Sequence, residues 1–146
     1  MKRLLLVVAV LALSGCGSSS GPKAGWSGPA PAAADGTLGV GGFNNFLAGD
    51  GQAFAASPVM AATEFLRLDQ VDAGETTIVS TTPGEVRDQA AVVVTLDRLL
   101  DDSVRATRYQ MELDRPDSDW RLRSARLAYR CQPGRGHAAY STQPCT

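Results

Sequence analysis

The sequence predicts an α+β domain: one main helix packed on a curved, four-stranded antiparallel sheet, with a disulfide-closed loop at the C-terminal end. Three observations predict it. A well-capped amphipathic stretch begins at Ser57, four segments of β-type patterning follow it between polar turns, and Cys131 and Cys145 bracket a fifteen-residue loop. A helix followed by a meander of strands is a sheet-on-helix arrangement rather than a series of βαβ units.

The elements follow in order. Phe43-Asn44-Asn45-Phe46-Leu47 opens a short helix without a capping residue, limited by Gly49 and Gly51. Ser57 is a good N-cap, and Pro58 occupies the first helical position, where its missing N–H costs nothing. The helix runs to about Asp69, with Val59, Ala62, Phe65, Leu66 and Leu68 on its apolar face. Glu75 to Thr82 is rich in β-branched residues and stops at Pro83-Gly84, which makes it strand one. From Val86, the alternation of Ala90, Val92, Val94 and Leu96 against Ala91, Val93, Thr95 and Asp97 gives strand two. After the polar turn Asp101-Asp102-Ser103, Thr107, Tyr109, Met111 and Leu113 form the inward face of strand three. Strand four follows Arg115-Pro116-Asp117-Ser118-Asp119, with Trp120 and Leu122 inward against Arg121 and Arg123. Leu127 and Tyr129 continue in the other parity, so a β-bulge is expected near Ser124-Ala125.

Composition bounds the function classes. Of 146 residues, 44% are hydrophobic, 20% charged and 6% aromatic, which excludes a collagen, a coiled coil or a fully disordered chain. Fourteen basic and fifteen acidic side chains give a net charge of −1, too balanced for a protein that coats nucleic acid. Twelve of the fourteen basic residues are arginines, a bias of composition rather than of chemistry.

The first residues carry the sharpest signal. Lys2 and Arg3 precede an unbroken apolar run of ten residues, Leu4 to Leu13. That is the length of a signal-peptide core and half of the roughly 20 residues a membrane span needs. Next comes Leu13-Ser14-Gly15-Cys16, which resembles the lipobox of bacterial lipoprotein precursors in all four positions. The resemblance implies a leader over 1–15, cleavage before Cys16, and a diacylglyceryl thioether on its sulfur, with acylation of the new amino terminus. Two or three acyl chains anchor stably where one binds marginally. The membrane is therefore the first expected partner, on its extracytoplasmic side, and Gly17 in place of Asp points to the outer membrane in a Gram-negative cell.

Residues 17–42 contain twenty Gly, Ser, Pro or Ala among twenty-six, so a lipidated cysteine followed by a flexible tether is expected over 16–42 and a single α+β domain over 43–146. Such a tether has a root-mean-square span of roughly 28 Å. Trp26 is its one large side chain, incidental or seated at the membrane interface. Gly17-Ser18-Ser19-Ser20-Gly21 matches a nucleophile-elbow pattern but lacks the flanking strand and helix, and is set aside.

The last hairpin, Ser118 followed by Asp119-Trp120-Arg121-Leu122, resembles that of NTF2-like domains and of the related cystatin-like arrangement, over about residues 57–130. The resemblance implies a pocket between helix and sheet, walled by Phe65, Tyr109, Met111 and Trp120, open to a small apolar ligand. An NTF2-like domain normally carries more helix before its strands than 43–69 provides.

Little catalytic chemistry is legible. Phosphate-loop, dinucleotide, HExxH and EF-hand spacings are all missing. Asp97, Asp101, Asp102, Asp117 and Asp119 sit at predicted turns, where solvated carboxylates are normal. Cys131 and Cys145 are the thiols left once Cys16 is lipidated, and an exported protein meets oxidising conditions, so a disulfide between them is expected. His137 between them reads as a solvent-exposed loop residue, and Cys131, His137 and Cys145 offer only three zinc ligands at irregular spacing; no metal or other cofactor is predicted. Arg121 and Arg123, with Arg126 and Arg130, line strand four, and Arg135 sits in the Gly-rich loop, so Arg121, Arg123 and Arg135 are the candidate partner surface. The expected function is a non-enzymatic, lipid-anchored envelope module that binds another envelope protein. A small-ligand carrier is the alternative.

Overall fold

The structure, a computed structural model, describes residues 25–82, 84 and 87–146. The expected leader, the lipobox-like residues with Cys16, the Gly17–Gly21 motif, and Pro83 and Val86 at the first hairpin lie outside those residues. Two helices, α1 (Gly41–Ala48) and α2 (Pro58–Phe65), precede four strands, β1 (Ala73–Thr81), β2 (Gln89–Leu99), β3 (Val104–Asp114) and β4 (Arg121–Cys131). The sheet is antiparallel and open, in the order β1-β2-β3-β4.

Local chemistry accounts for the helix ends. The Ser57 hydroxyl accepts the Met60 N–H at 3.0 Å, and Pro58 follows as expected. The helix is shorter than its pattern suggests, because Arg67 takes a left-handed conformation at φ 51° and a separate single turn covers Leu68–Gln70. Arg67 donates to both carboxylate oxygens of Asp69 at 2.9 Å and to the Trp26 carbonyl, and so ties the helix end to the N-terminal segment. The helical layer thus consists of two short helices rather than one long one. Phe43 and Leu47, one turn apart on α1, are buried together with Ala61, Ala62 and Phe65 of α2.

Cross-strand register sets the inner face of the sheet. Ile78 opposes Val94, Val94 opposes Tyr109, and Tyr109 opposes Leu127; one step along, Val92 opposes Met111 and Met111 opposes Ala125. Glu112 pairs with Ser124 but Leu113 pairs with Leu122, so Arg123 is the extra residue of a β-bulge. The parity slip read in the sequence is this bulge. The core lies between this face and the helices, and each fully buried Phe, Leu or Met in it contributes about 1.5–3 kcal/mol. At the far end of the first strand pair, Arg98 turns to φ 54° opposite Gly74, where a Cβ would stand 2.9 Å from that of Arg98.

Within the expected tether over 16–42, the described residues from Trp26 on are packed against the domain. The Trp26 ring lies 5.1 Å from Phe43 and 6.0 Å from Phe65, and its indole N–H donates to the Phe65 carbonyl at 2.8 Å. Leu38 is buried in the core, and Thr37 forms an isolated antiparallel bridge with Arg126 of β4.

Candidate functional site

The two outer edges of the sheet differ in how their backbone is satisfied. Along β4, the Asn44 amide brackets Leu122, donating to its carbonyl at 2.8 Å and accepting its N–H at 3.0 Å. Leu38 then donates to the Ala125 carbonyl at 2.9 Å, and the Leu127 N–H reaches the Gly36 carbonyl at 2.8 Å. Tyr129 exchanges both bonds with Ser141, at 2.7 and 2.9 Å, and the Cys131 N–H meets the His137 carbonyl at 3.0 Å. Gly36 is required there: its φ is 80°, and a Cβ would come within 2.4 Å of the Leu127 oxygen.

Nothing equivalent covers β1. Among the described residues, 73–81 make no backbone hydrogen bond beyond those of the β1–β2 pairing. Residues 74–81 are exposed on both faces, with Ile78 at 38% and Val79 at 50%, although the segment is rich enough in β-branched residues for a buried strand. Its single charge, Glu75, is held by Arg98 at 2.8 Å. The strand has neither Lys, Pro nor an inward-pointing charge, the usual devices that blunt an exposed edge.

The four side chains expected to wall a pocket are part of the core itself. Phe65, Met111 and Trp120 are buried in the main cluster, and Tyr109 packs against it, with burial pushing its phenol pKa upward. None of the four concavities on the molecule described here is lined by Phe65, Tyr109 or Trp120. Met111 instead borders a shallow one of about 240 Å³ on the outer face, with Val93, Glu112 and Arg126.

The three candidate arginines do not form one surface. Arg121 opens β4 opposite Asp114, and Arg123 sits at the bulge with its guanidinium 3.0 Å from Glu112. The Arg123 and Ser124 hydrogen bonds hold the Glu112 carboxyl below its ordinary value. Arg135 lies in the turn beyond Cys131, and Cys131 is itself roughly 33 Å from Arg121 by the rise of ten strand residues. At that end Arg105, Arg108 and Arg130, which the sequence offers as part of a basic stripe, gather around two side chains it does not point to: Asp97 binds Arg130 at 2.5 Å and Arg105 at 3.7 Å, while Tyr140 stacks under Arg108 at 3.8 Å. Burial pushes the Asp97 carboxyl up, but the Arg98 N–H and the two guanidinium groups outweigh it and lower its pKa. Asp97 therefore belongs to the strand pairing and not to a solvated turn. Only its cross-strand partners reveal that.

Cys131 and Cys145 are joined, as their spacing suggests. His137 is half-buried rather than exposed, held by Nδ1 to the Ala139 carbonyl and by Nε2 to the Gln143 carbonyl, both at 2.8 Å. Compared with known families, curated proteins and solved structures, the chain matches none. No helix among the described residues is long and apolar enough to cross a membrane.

Proposed function

We propose that this is a non-enzymatic, lipid-anchored envelope protein that docks an extended segment of another envelope protein as a fifth strand beside β1. One observation carries the reading: one edge of the sheet is saturated by the protein's own chain, while the other has, among the described residues, no backbone partner beyond β2 and carries exposed β-branched side chains. Main-chain hydrogen bonds give such strand addition its affinity, and alternate side chains give it specificity. Close packing around Phe65, Met111 and Trp120 favours this module over a small-ligand carrier.

The anchoring is part of the same proposal and rests on residues 2–16, with lipid on Cys16. Ten residues separate Cys16 from Trp26 in register, a reach of at most about 36 Å when fully extended. A partner segment therefore has to come close to the membrane on which the protein sits. The fold kinship we propose is to NTF2-like or cystatin-like domains, supported by the order of helices then meander and by the Asp119-Trp120-Arg121-Leu122 hairpin.

The test is site-directed photo-crosslinking in intact cells. A photoreactive residue at Thr77 or Val79 should give one discrete adduct, the same residue at Ala128 should give none, and Ile78→Pro should abolish the β1 adduct. Equal adducts at both edges, or adducts that survive Ile78→Pro and vanish with Arg121→Glu/Arg123→Glu, would place docking elsewhere.

A further inference from the structure

The C-terminal loop brings together the three side chains with the strongest affinity for soft and borderline cations. Cys131 Sγ, His137 Nε2 and Cys145 Sγ all lie within 4.8 Å of one another. In a tetrahedral zinc site, with Zn–S near 2.3 Å and Zn–N near 2.05 Å, the edge between a sulfur and a nitrogen ligand is about 3.6 Å. Cys131 Sγ and His137 Nε2 already stand 3.5 Å apart. The edge between two sulfurs would be about 3.8 Å, so once the crosslink is opened Cys145 Sγ has to draw back and the Gln143 carbonyl has to swing off Nε2. Residues 133–136 and 142–144 are exposed, so no buried side chain within them resists that step.

A second observation points to a cation at the same place. Both ring nitrogens of His137 face backbone carbonyl oxygens at 2.8 Å, Ala139 through Nδ1 and Gln143 through Nε2. A neutral imidazole carries one N–H, so one of these contacts sets lone pair against lone pair. With the proton on Nδ1, the Ala139 carbonyl orients the ring in the manner usual for a metal-bound histidine, and Nε2 presents its lone pair toward Gln143 and Cys131. A positive ion there relieves the conflict.

We propose that reduction of the Cys131–Cys145 disulfide converts this loop into a site for Zn²⁺, with Cys131 Sγ, Cys145 Sγ and His137 Nε2 as its three protein ligands. The reductant is a dithiol: its two electrons and two protons break the S–S bond and form two thiols, and it leaves as a disulfide. Zn²⁺ then displaces both thiol protons to solvent, and two thiolates neutralise its charge. Three protein ligands leave one coordination position for water or an exogenous donor. The loop is thus a structural crosslink when oxidised and a metal site when reduced.

The experiment uses the full chain carrying Cys16→Ala, so that 131 and 145 hold the only thiols, and titrates Zn²⁺ against a chromophoric chelator, with Co²⁺ as a spectroscopic probe. The reduced protein should bind one ion per chain with tetrahedral cobalt bands, and the oxidised protein should bind at least about 100-fold more weakly. His137→Ala should weaken binding by the reduced form at least about tenfold while the disulfide still forms on reoxidation. A second pair needs no reductant: Cys145→His, which cannot crosslink but keeps three ligands, should bind Zn²⁺ at least about tenfold more tightly than Cys145→Ala. Equal affinity of oxidised and reduced chains overturns the proposal. So does an unaffected His137→Ala, or a His137 ring that ¹⁵N NMR finds doubly protonated with Zn²⁺ present.

Discussion

The β4 edge and the β1 edge belong to one sheet of four strands, yet they present opposite surfaces. From Leu122 to Cys131, β4 is closed by three stretches of chain: the Asn44 side chain of α1, residues 36–38, and the C-terminal loop through Ser141 and the His137 carbonyl. Among the described residues, β1 has only its neighbour β2. The difference teaches that the Gly-rich segment before α1 and the crosslinked loop after β4 both serve to close a single edge. A protein that needed both edges blunted had charge, proline or further chain with which to do it.

Several substitutions sharpen that comparison. The largest effect is expected at Trp26, the pin of the closing segment: Trp26→Ala removes the ring contacts with Phe43 and Phe65 and should lower the unfolding free energy by about 3 kcal/mol in a urea melt. Opening the loop at the other end of the same edge, with Cys131→Ser and Cys145→Ser together, should cost about 3 kcal/mol by loop entropy, seen as a lower Tm. Asn44→Ala strips both hydrogen bonds from Leu122 and should cost about 1–2 kcal/mol, with faster amide exchange confined to the start of β4. On the open edge, by contrast, Val79→Lys should change stability by no more than about 0.5 kcal/mol while it abolishes the β1 crosslink. A stability loss there as large as that of Asn44→Ala would erase the distinction between the edges.

The smallest effect is one of pH. Asp101 accepts the N–H groups of Val104 and Ser103, and these hold its carboxyl below the ordinary value. A lowered folded pKa means that the stabilisation is complete above the usual carboxylate range, near pH 4, and is lost as pH falls below it. Denaturant midpoints measured from pH 6 down to pH 3 should therefore fall, and Asp101→Asn should make the decline shallower.

Much of this was legible in the sequence, and the gaps have physical causes. Alternation in β2 and β3 shows which side chains face inward, and the parity change between Leu122 and Leu127 places the bulge within a residue or two. Alternation does not show how much space remains between layers, so Phe65, Met111 and Trp120 read equally well as a pocket wall and as the filled core they form. The segment 26–42 reads as a tether because its small residues bury little. It docks instead through backbone groups, which leave no mark on composition; Trp26 is its one visible signal. β1 is the converse case: Thr, Ile and Val suit a central strand and an edge alike, so its exposure follows from topology alone. His137 looks solvent-facing in a Gly-rich loop, and only the folded course of that loop shows the carbonyls of Ala139 and Gln143 at its ring.

Residue-resolved hydrogen exchange on the full chain tests the central contrast most directly. The Leu122, Leu127, Tyr129 and Cys131 amides should be protected, while the β1 amides that point away from β2 should exchange at least about 100-fold faster, as unpaired edge groups do. Slow exchange along the outer side of β1 in the protein alone, or fast exchange of Leu127 and Tyr129, would contradict the account.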